Sequence, residues 1–468
     1  MLERIINQKE SNRFAYKIEK KTLTYKDLKI KAKYYSMLLK YQGNTPIIIY
    51  GHKSINTFLS IFACIEAKRA YVPIDLCTPK ERIEKIIKLT KSSLILSDEK
   101  IIFKNIECLK LNELEKYKNN SLIFEIKNEI AYYIFTSGST GNPKGVPISY
   151  DNLFNFVSWI KDIEPLNSYD NINVLNQASF SFDLSVADIF YSMYSGHTLI
   201  TLDKDIKESY TGIFETIHDE KINLMVITPT FIKLCLVNKE FNEKNFSFLK
   251  CLYFCGEQLE PITVKKIFNQ FPNIRVINAY GPTEATSAVS SIEIKNNMLN
   301  NDLLPVGKVG KFATNIFIHD GHIVLSGKSV FSGYVGDLVG GYYNLNNEDY
   351  FDTGDIGFIE NNKLYCKGRS DSQIKYKGYR IELNDIERNI YNIKGVKECV
   401  VIAKYKDDFN VKIIKAYITI ENKLDSGYIK NELKKKIPSY MIPNRIIVIE
   451  KMPINYNGKI DRKKLIEL

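Results

Sequence analysis

The amino-acid sequence predicts an α/β protein with a large N-terminal part and a small α+β C-terminal part. Over about the first 300 residues, short β-rich runs alternate with helical stretches, a pattern typical of layered, mostly parallel sheets covered by helices. The texture then changes to short strands and turns, and from Ser370 onward to mixed helices and strands. A chain of 468 residues is too long for one ordinary core, so roughly two to four domains or subdomains are expected.

The strands of the N-terminal part are predicted from runs rich in β-branched and aromatic residues. These runs are PIIIY (46–50), SLILS (93–97), AYYIF (131–135), LMVIT (224–228), LYF (252–254) and RVINAY (275–280). Helical stretches such as TVKKIFNQF (263–271) separate them. Strands that alternate with helices in this way favour parallel pairing.

The remaining chain predicts a β-rich segment and then a separate α+β unit. Residues 310–368 contain two hairpin patterns, NIFIHDGHIVLSG and FIENNKLYCKG. Helix, strand, strand, helix and strand patterns follow in the last hundred residues or so. The Gly, Ser and Asp residues of GRSDS (368–372) have little to pack and much torsional freedom, which suits a hinge. We therefore expect a large domain at 1–369 and a small one at 370–468.

Composition excludes several classes of protein. The eight cysteines are scattered without CxxC pairs, and the five histidines show no HExxH spacing, so a zinc site is not expected. No run of 18 apolar residues predicts a membrane span, and the polar start does not resemble a signal peptide. We expect a cytoplasmic protein, and the sequence leaves its oligomeric state open, a monomer included.

The net charge of +11 is concentrated near the C-terminus. Residues 371–468 hold 21 Lys and Arg against 13 Asp and Glu, a surplus of eight. The basic residues are dispersed and lack a nucleic-acid recognition signature, so no nucleic-acid partner is expected. A docking surface for an acidic protein is favoured, because complementary charge speeds encounter.

The run YIFTSGSTGNPKGV (133–146) carries the first candidate chemistry. Four hydroxyl side chains and two glycines follow a predicted strand, and Lys144 comes after them. Such a loop exposes backbone N–H groups and hydroxyls together, which suits the oxygens of a polyphosphate. It does not match the Walker pattern, because no Gly-Lys-Ser/Thr triplet closes it. Taken alone, a surface loop is the better interpretation.

Five further stretches, each unremarkable singly, decide between these interpretations by their order and spacing. They are AYVPID (70–75), SFDLSVADIF (181–190), NAYGPTEAT (278–286), FDTGDIG (351–357) with GRSDSQIKYKGYRIE (368–382), and NYNGKIDRKKL (455–465). Together with the loop, they resemble the core motifs of the adenylate-forming superfamily. The resemblance runs from about residue 24 to 465 and is closest to amino-acid adenylation domains of nonribosomal peptide synthetases and to D-alanine–carrier-protein ligases.

The resemblance implies a fold and an ATP site. The fold would be a large adenylation core with a small β-barrel-like subdomain, followed by a mobile C-terminal domain. The loop would hold the β- and γ-phosphates of ATP through Thr136, Ser137, Gly138, Ser139, Thr140, Gly141 and Lys144. The nucleoside would be held by Gly256, Glu257, Asn278, Tyr280, Asp355 and Arg369, with Tyr280 stacked on adenine and Asp355 accepting both ribose hydroxyls.

The same resemblance implies the catalytic residues. Thr283 would contact the α-phosphate and Glu284 would be a ligand of Mg²⁺. Lys459 would bridge the substrate carboxylate and the α-phosphate. Rotation about Asp371 would withdraw Lys459 and bring Gly378 to the path of the pantetheine thiol.

Asp183 matches the aspartate that pairs with the α-ammonium group of an amino-acid substrate. A buried ammonium without a counter-charge is costly, so this residue argues against fatty or aryl acids. The alternative is an aspartate that caps the following helix. The other pocket positions implied by the resemblance are Leu184, Ala187, Val226, Tyr253, Cys255, Ala279, Ser287 and Ala288.

The resemblance makes D-alanine the leading substrate, because Cys255 matches a cysteine associated with the D-methyl group. Ala187 replaces a larger residue and Tyr253 an aliphatic one, so another small or medium amino acid stays open. The chain has no carrier-protein serine motif and no HHxxxDG motif, so we expect a free-standing ligase that serves a separate, acidic phosphopantetheinyl carrier protein. The rivals are an acyl- or aryl-CoA synthetase and a non-catalytic relative that holds an adenylate.

Overall fold

A computed structural model provides the architecture of the chain. It describes residues 2–6, 11–41, 43–118, 128–138, 142–203, 209–310, 314–336, 340–370, 372–406, 411–421, 424–453 and 460–467. No helix in these ranges is both long and apolar enough to cross a membrane.

The helices are numbered in chain order. The α-helices are α1 (Leu2–Ile5), α2 (Tyr25–Lys40), α3 (Ile55–Ala67), α4 (Lys80–Thr90), α5 (Tyr150–Asp162), α6 (Leu184–Ser195), α7 (Tyr210–Asp219), α8 (Pro229–Cys235), α9 (Pro261–Gln270), α10 (Leu383–Tyr391), α11 (Ser426–Lys436) and α12 (Arg462–Glu467). Short 3₁₀ helices lie at Leu111–Tyr117, Leu166–Ser168, Thr283–Ala285, Asn296–Met298 and Ser439–Met441.

The strands of the first half are β1 (Phe14–Ile18), β2 (Lys21–Thr24), β3 (Ile47–Tyr50), β4 (Tyr71–Ile74), β5 (Leu94–Leu96), β6 (Glu107–Leu109), β7 (Ile130–Thr136), β8 (Lys144–Ser149), β9 (Asn173–Asn176), β10 (Thr198–Thr201), β11 (Leu224–Ile227), β12 (Cys251–Phe254), β13 (Arg275–Tyr280) and β14 (Ser290–Glu293). Those of the second half are β15 (Gly307–Lys308), β16 (Thr314–His319), β17 (His322–Gly327), β18 (Tyr342–Leu345), β19 (Glu348–Glu360), β20 (Lys363–Arg369), β21 (Gln373–Tyr376), β22 (Tyr379–Glu382), β23 (Val396–Tyr405), β24 (Val411–Ile420) and β25 (Arg445–Val448).

The chain divides into two compact units. The first unit contains residues 1–75, 90–134 and 146–367, and the second contains residues 76–89, 135–145 and 368–468. The second unit therefore includes the predicted phosphate loop and most of α4 along with the C-terminal region.

An eight-stranded sheet organises the first unit. Its strand order is β14-β13-β12-β11-β9-β10-β1-β2, and every pairing from β13 to β1 is parallel. Alternate residues of a strand enter different cores, as Tyr253 and Phe254 of β12 do. Because both faces of the central strands β11 and β12 are buried, these two strands are continuously apolar, which explains why their sequences read as uninterrupted hydrophobic runs.

Two further sheets complete the layers that the sequence predicts. The order β6-β5-β3-β4-β7-β8 forms a six-stranded sheet whose pairings from β6 to β7 are parallel. The β-rich segment forms an antiparallel sheet of order β15-β20-β19-β17-β16, with β18 paired to β19. Both predicted hairpins are present, as β16–β17 and β19–β20.

The C-terminal part of the second unit has its own small core. Strands β23, β24 and β25 form one sheet, and β21 pairs with β22 in a hairpin. Helix α10 packs on β23 through apolar residues such as Ile386 and Ile390, which are fully buried. The mixed α+β pattern predicted from the sequence is confirmed here.

Candidate functional site

The turn that follows β13, within the NAYGPTEAT stretch, brings Gly281 close to Ala288. A side chain at Gly281 would place its Cβ 2.5 Å from the Cα of Ala288, so only glycine fits the turn. Thr286 and Ser287 both adopt left-handed backbone conformations, with φ of 61° and 72°. Two such residues in succession are costly, and strain of this kind accumulates at functional sites.

Asp183 lies at the first turn of α6 but does not cap that helix. It occupies the N-cap position without a side-chain capping hydrogen bond. Instead, the Thr283 hydroxyl donates to Asp183 Oδ2 at 2.6 Å. The carboxylate is almost buried, with 9% of the residue exposed. Thr283 thus orients a carboxylate that the helix does not use, which removes the capping interpretation.

Glu284 is fully buried beside Thr283 and has a partner that the sequence analysis did not identify. The Tyr334 hydroxyl donates to Glu284 Oε1 at 2.6 Å, and the Phe331 amide donates to the Glu284 carbonyl at 2.9 Å. Across the described ranges, no three or more His, Cys, Asp or Glu side chains gather as a metal site. Only Glu284 is a candidate ligand among the residues predicted, so most ligands of any ion here would come from elsewhere.

Tyr280 and Asp355 share a buried hydrogen-bond network. The Tyr280 hydroxyl donates to Asp355 Oδ2 at 2.7 Å. The Thr353 hydroxyl accepts from the Asp355 amide at 3.0 Å and donates to the Ile323 carbonyl at 2.8 Å. Burial, and then the nearby Asp355 carboxylate, raises the pKa of Tyr280 well above its usual value, so the phenol stays protonated and remains a donor. Thr353 is a second residue that the sequence analysis missed.

The predicted substrate pocket is apolar and buried. Its eight residues are at most 4% exposed, and seven belong to one core: Leu184, Ala187, Val226, Tyr253, Cys255, Ala279 and Ala288. The Cys255 thiol lies 3.7 Å from the Ser287 carbonyl, to which it donates. Within the described structure, the Tyr253 hydroxyl has no hydrogen-bond partner, and burial raises its pKa. Val226 and Ile277 flank Tyr253 on the neighbouring strands.

The residues predicted to line adenine come from the strand ends next to this pocket. Gly256 has a φ of +92°, which favours glycine, and follows β12. The Glu257 carboxylate accepts from the Thr230 amide at 2.8 Å, at the start of α8. The buried Asn278 side chain donates to the Pro305 carbonyl at 2.9 Å. These contacts fix the Glu257 and Asn278 side chains.

The second unit holds the ends of the predicted phosphate loop. Ser137 is buried and hydrogen-bonded to the backbone of β22, and Lys144 lies near Glu382. At Gly138, a Cβ would come 2.1 Å from the Asn142 carbonyl oxygen, so the tight turn requires glycine. Thr136 contributes its carbonyl to Arg82 of α4 at 3.1 Å.

The remaining predicted residues are only partly covered by the structure. Arg369 ends β20, and Gly378 lies in the turn between β21 and β22 with a φ of +84°. The others lie outside the described residues: Ser139, Thr140, Gly141, Asp371 and Lys459.

The comparison with known families decides the identity of the fold and of these motifs. Residues 2–335 match the family described as AMP-binding enzyme, and residues 385–459 match the AMP-binding enzyme C-terminal domain. The chain belongs to the AMP-binding enzyme family. The adenylate-forming resemblance predicted from the motifs is therefore confirmed.

Relatives within this AMP-binding family are similar over nearly their whole length. A D-alanine--D-alanyl carrier protein ligase of Staphylococcus epidermidis is 38% identical over 460 residues, which cover 95% of this chain and 94% of that protein. The ligase of the same name from Bacillus licheniformis is 35% identical, with 98% and 97% covered. The prediction of an ATP-dependent ligase is supported by these relatives.

Solved structures of AMP-binding enzymes share the fold. The Vibrio cholerae adenylation domain AlmE, in complex with glycyl-adenosine-5'-phosphate, superposes with a TM-score of 0.84 at 24% identity, covering 100% of this chain and 96% of that one. The o-succinylbenzoate CoA synthetase MenE of Bacillus subtilis superposes with a TM-score of 0.83 at 18% identity, covering 100% and 98%. At these identities the likeness establishes the fold alone, a large α/β domain followed by a smaller one.

Proposed function

We propose that this AMP-binding enzyme activates a small amino acid, D-alanine in the first place, with ATP and transfers it to the phosphopantetheine thiol of a separate carrier protein. The observation that carries the proposal is the buried Asp183 carboxylate. Thr283 orients this carboxylate, which makes no capping hydrogen bond to α6. The near full-length similarity to D-alanine--D-alanyl carrier protein ligases supports it.

In the first half-reaction, an oxygen of the amino-acid carboxylate attacks the α-phosphorus of ATP. The bond to the β-phosphate oxygen breaks, pyrophosphate leaves, and aminoacyl-AMP forms. Both reactants are anionic, so alignment and charge neutralisation must supply most of the rate. Lys459 would bridge the two anions, Thr283 would contact the α-phosphate, and the loop at 136–144 would hold the departing phosphates.

The nucleoside would be held through the Tyr280–Asp355 network. A carboxylate has enough acceptor sites to bind both ribose hydroxyls while it accepts from a tyrosine. The Tyr280 ring would stack on adenine, with Gly256, Glu257 and Asn278 along its edge, and Arg369 would reinforce Asp355. These roles follow from the family motifs.

Glu284 would hold a magnesium ion only together with ligands supplied by the substrate phosphates and by water. One buried carboxylate is a typical protein contribution to Mg²⁺ sites in which phosphates and waters supply the other ligands. When bound, the ion would neutralise phosphate charge. Tyr334 would hold Glu284 in place through its 2.6 Å hydrogen bond.

The amino acid would lie with its ammonium group at Asp183 and its side chain toward the apolar wall. Because every wall residue is at most 4% exposed, the substrate side chain would meet a buried apolar surface. The Cys255 thiol, held at the Ser287 carbonyl, would lie on the side of a D-methyl group.

In the second half-reaction, the carrier's thiolate attacks the carbonyl carbon of aminoacyl-AMP and AMP leaves. The motifs place Asp371 at the hinge that would exchange Lys459 for Gly378 between the two steps. The basic surplus of residues 371–468 would favour an acidic carrier. The proposal sets this chemistry in the cytoplasm.

Pyrophosphate exchange across a panel of D- and L-amino acids tests the proposal. We expect exchange with D-alanine to exceed exchange with L-alanine and with larger residues. Holo-carrier, and not coenzyme A, should then accept the acyl group. Preference for glycine or another small amino acid would replace D-alanine but keep the ligase assignment, whereas efficient transfer to coenzyme A would contradict the carrier assignment.

A further inference from the structure

The hairpin turn at Lys377 and Gly378 needs backbone conformations that only one of the two residues favours. Tyr376 of β21 pairs directly with Tyr379 of β22, so the turn between them has two residues. Both have positive φ, 53° for Lys377 and 84° for Gly378, as in a type I′ turn. Glycine adopts such a conformation freely, whereas a lysine there carries strain that the surrounding structure must offset.

One end of this turn is held by a stacked pair of rings. The rings of Tyr379 and Tyr440 lie parallel, with their centroids 3.8 Å apart and an angle of 4° between their planes. Tyr440 belongs to the short 3₁₀ helix Ser439–Met441, and the next residue, Met441, is fully buried in the C-terminal core. The position of the Tyr440 ring is therefore fixed by a core residue beside it in the chain.

The other end of the turn is held from the same segment of chain. The Tyr376 hydroxyl donates to Asn444 Oδ1 at 3.3 Å. That oxygen also accepts from the Ile414 amide at 2.8 Å, and the Asn444 amide donates to the Ile414 carbonyl at 2.9 Å, so Asn444 is fixed against β24. Lys377 lies over the Tyr376 ring, with Nζ 5.3 Å from the ring centroid. Residues 439–444 thus support both strands where they enter the turn.

The stacked pair lies at the edge of the core and not at its centre. Tyr379 and Tyr440 are both partly buried residues packed against the C-terminal core. Both belong to the second unit, so the support lies within one compact body. Removing a ring at the edge of a core should loosen the turn and leave the buried residues beneath it in place.

We infer that Tyr440 is a positioning residue for the second half-reaction, because it holds the turn whose Gly378 would line the path of the pantetheine thiol. This inference rests on the proposed function. The stacked ring keeps the strained turn in one conformation before the carrier arrives, which lowers the cost of ordering it during transfer. Adenylation does not use this turn, so Tyr440 serves one half-reaction only.

Single-turnover kinetics of the two half-reactions test the inference. Tyr440→Ala removes the ring, and the rate of acyl transfer from pre-formed aminoacyl-AMP at saturating holo-carrier should fall about five- to tenfold, as expected for loss of an aromatic pair. Pyrophosphate exchange should be unchanged, as should the KM values for ATP and for the amino acid. Tyr440→Phe keeps the stacked ring and should keep the transfer rate of the wild type.

Two further variants serve as a milder test and as a control. Tyr376→Phe removes only the hydroxyl that binds Asn444, and should lower the transfer rate about twofold without affecting exchange. Tyr391→Ala removes an exposed tyrosine elsewhere in the second unit and should change neither half-reaction. Equal losses in both half-reactions of Tyr440→Ala would overturn the inference. So would a change confined to the KM for the carrier, which would make Tyr440 a docking contact.

Hydrogen exchange read by mass spectrometry tests the support of the turn without turnover. In the full chain carrying Tyr440→Ala, peptides over 373–382 should exchange faster than in the wild type, because the hairpin has lost an anchor. Peptides over 396–405, in β23, serve as an internal reference and should not change. Unchanged exchange over 373–382, or faster exchange with an unchanged transfer rate, would overturn the inference alone. Failure of the wild-type chain to transfer an acyl group to any holo-carrier would refute the proposed function and the inference with it.

Discussion

At the scale of single residues, the site depends on pairs in which one side chain orients another. Thr283 orients Asp183, and Tyr334 orients Glu284, both through hydrogen bonds of 2.6 Å. Tyr280 does the same for Asp355 at 2.7 Å. Each carboxylate is buried and keeps a defined direction before any substrate arrives, which lowers the cost of binding.

Replacing Asp183 should separate its charge from its structural contact. Asp183→Ala leaves an ammonium group against an apolar wall, so amino-acid-dependent exchange should fall by roughly two to three orders of magnitude. Asp183→Asn keeps an acceptor for the Thr283 hydroxyl but no charge, and should still lose at least about tenfold. The KM for ATP and the melting temperature serve as controls. Full activity of the Asn variant would mean that Asp183 only supports Thr283.

Enlarging Cys255 should test the handedness of the substrate. The thiol is buried and bound to the Ser287 carbonyl, so Cys255→Val adds volume to a closed wall. If the substrate methyl group points toward it, exchange with D-alanine should fall more than exchange with L-alanine. Cys235→Val, a buried thiol in the other core, controls for general overpacking. Equal losses for the two enantiomers would remove Cys255 from chiral selection.

At the scale of elements, the strands and helices were predictable because their signals are local. Runs such as LMVIT and RVINAY coincide with β11 and β13 almost to the residue. The partners at the site were not predictable, since Thr283 and Asp183 are 100 residues apart and meet only because α6 and the turn after β13 lie at one sheet edge. Arg82 belongs to none of the motifs in the sequence. Its contacts with the Thr136 carbonyl and the Asp385 carboxylate depend on tertiary packing.

The junction of α6 and β10 contains a buried histidine that should make the first unit sensitive to acid. Burial lowers the pKa of His197 to about 4 from a usual 6.5, against the opposing effect of the Asp170 carboxylate and with a smaller contribution from Arg13. Tyr191 bonds Nε2 at 3.2 Å, and Nδ1 has no partner among the residues described. The unfolded chain therefore takes up a proton below pH 6.5, whereas the folded chain does so only near pH 4.

Stability should accordingly be complete above pH 6.5 and be lost as the pH falls toward 4. His197 alone should account for about 2 kcal/mol of lost unfolding free energy between pH 7 and pH 5. Urea unfolding followed by the fluorescence of Trp159, the single tryptophan, reads the first unit directly. His197→Gln should reduce the loss by that amount. His319→Gln, at an exposed hairpin turn, should not, and an unchanged loss in the His197 variant would contradict the account.

At the scale of the whole molecule, the two compact units are built from segments that are not consecutive in the chain. The predicted phosphate loop is far from the C-terminus in sequence yet belongs to the same compact unit as residues 368–468. That grouping brings Ser137 to β22, a contact between residues more than 240 positions apart. The motifs in the sequence identify the loop but not β22 as its partner, because that contact forms only in the folded chain.

The charge distribution of the whole chain leads to the last prediction, which concerns the carrier. Lys434 and Lys436 end α11 in the part of the chain that holds most of the positive surplus. Complementary charge at an interface mainly speeds encounter, so Lys434→Glu with Lys436→Glu should raise the KM for an acidic holo-carrier by roughly an order of magnitude. ATP exchange should stay unchanged, because no carrier takes part in that step. Lys239→Glu with Lys244→Glu makes the same charge change in the first unit and should have a much smaller effect. If the KM for the carrier changes neither with the charge reversal on α11 nor with added salt, the basic surplus does not guide docking.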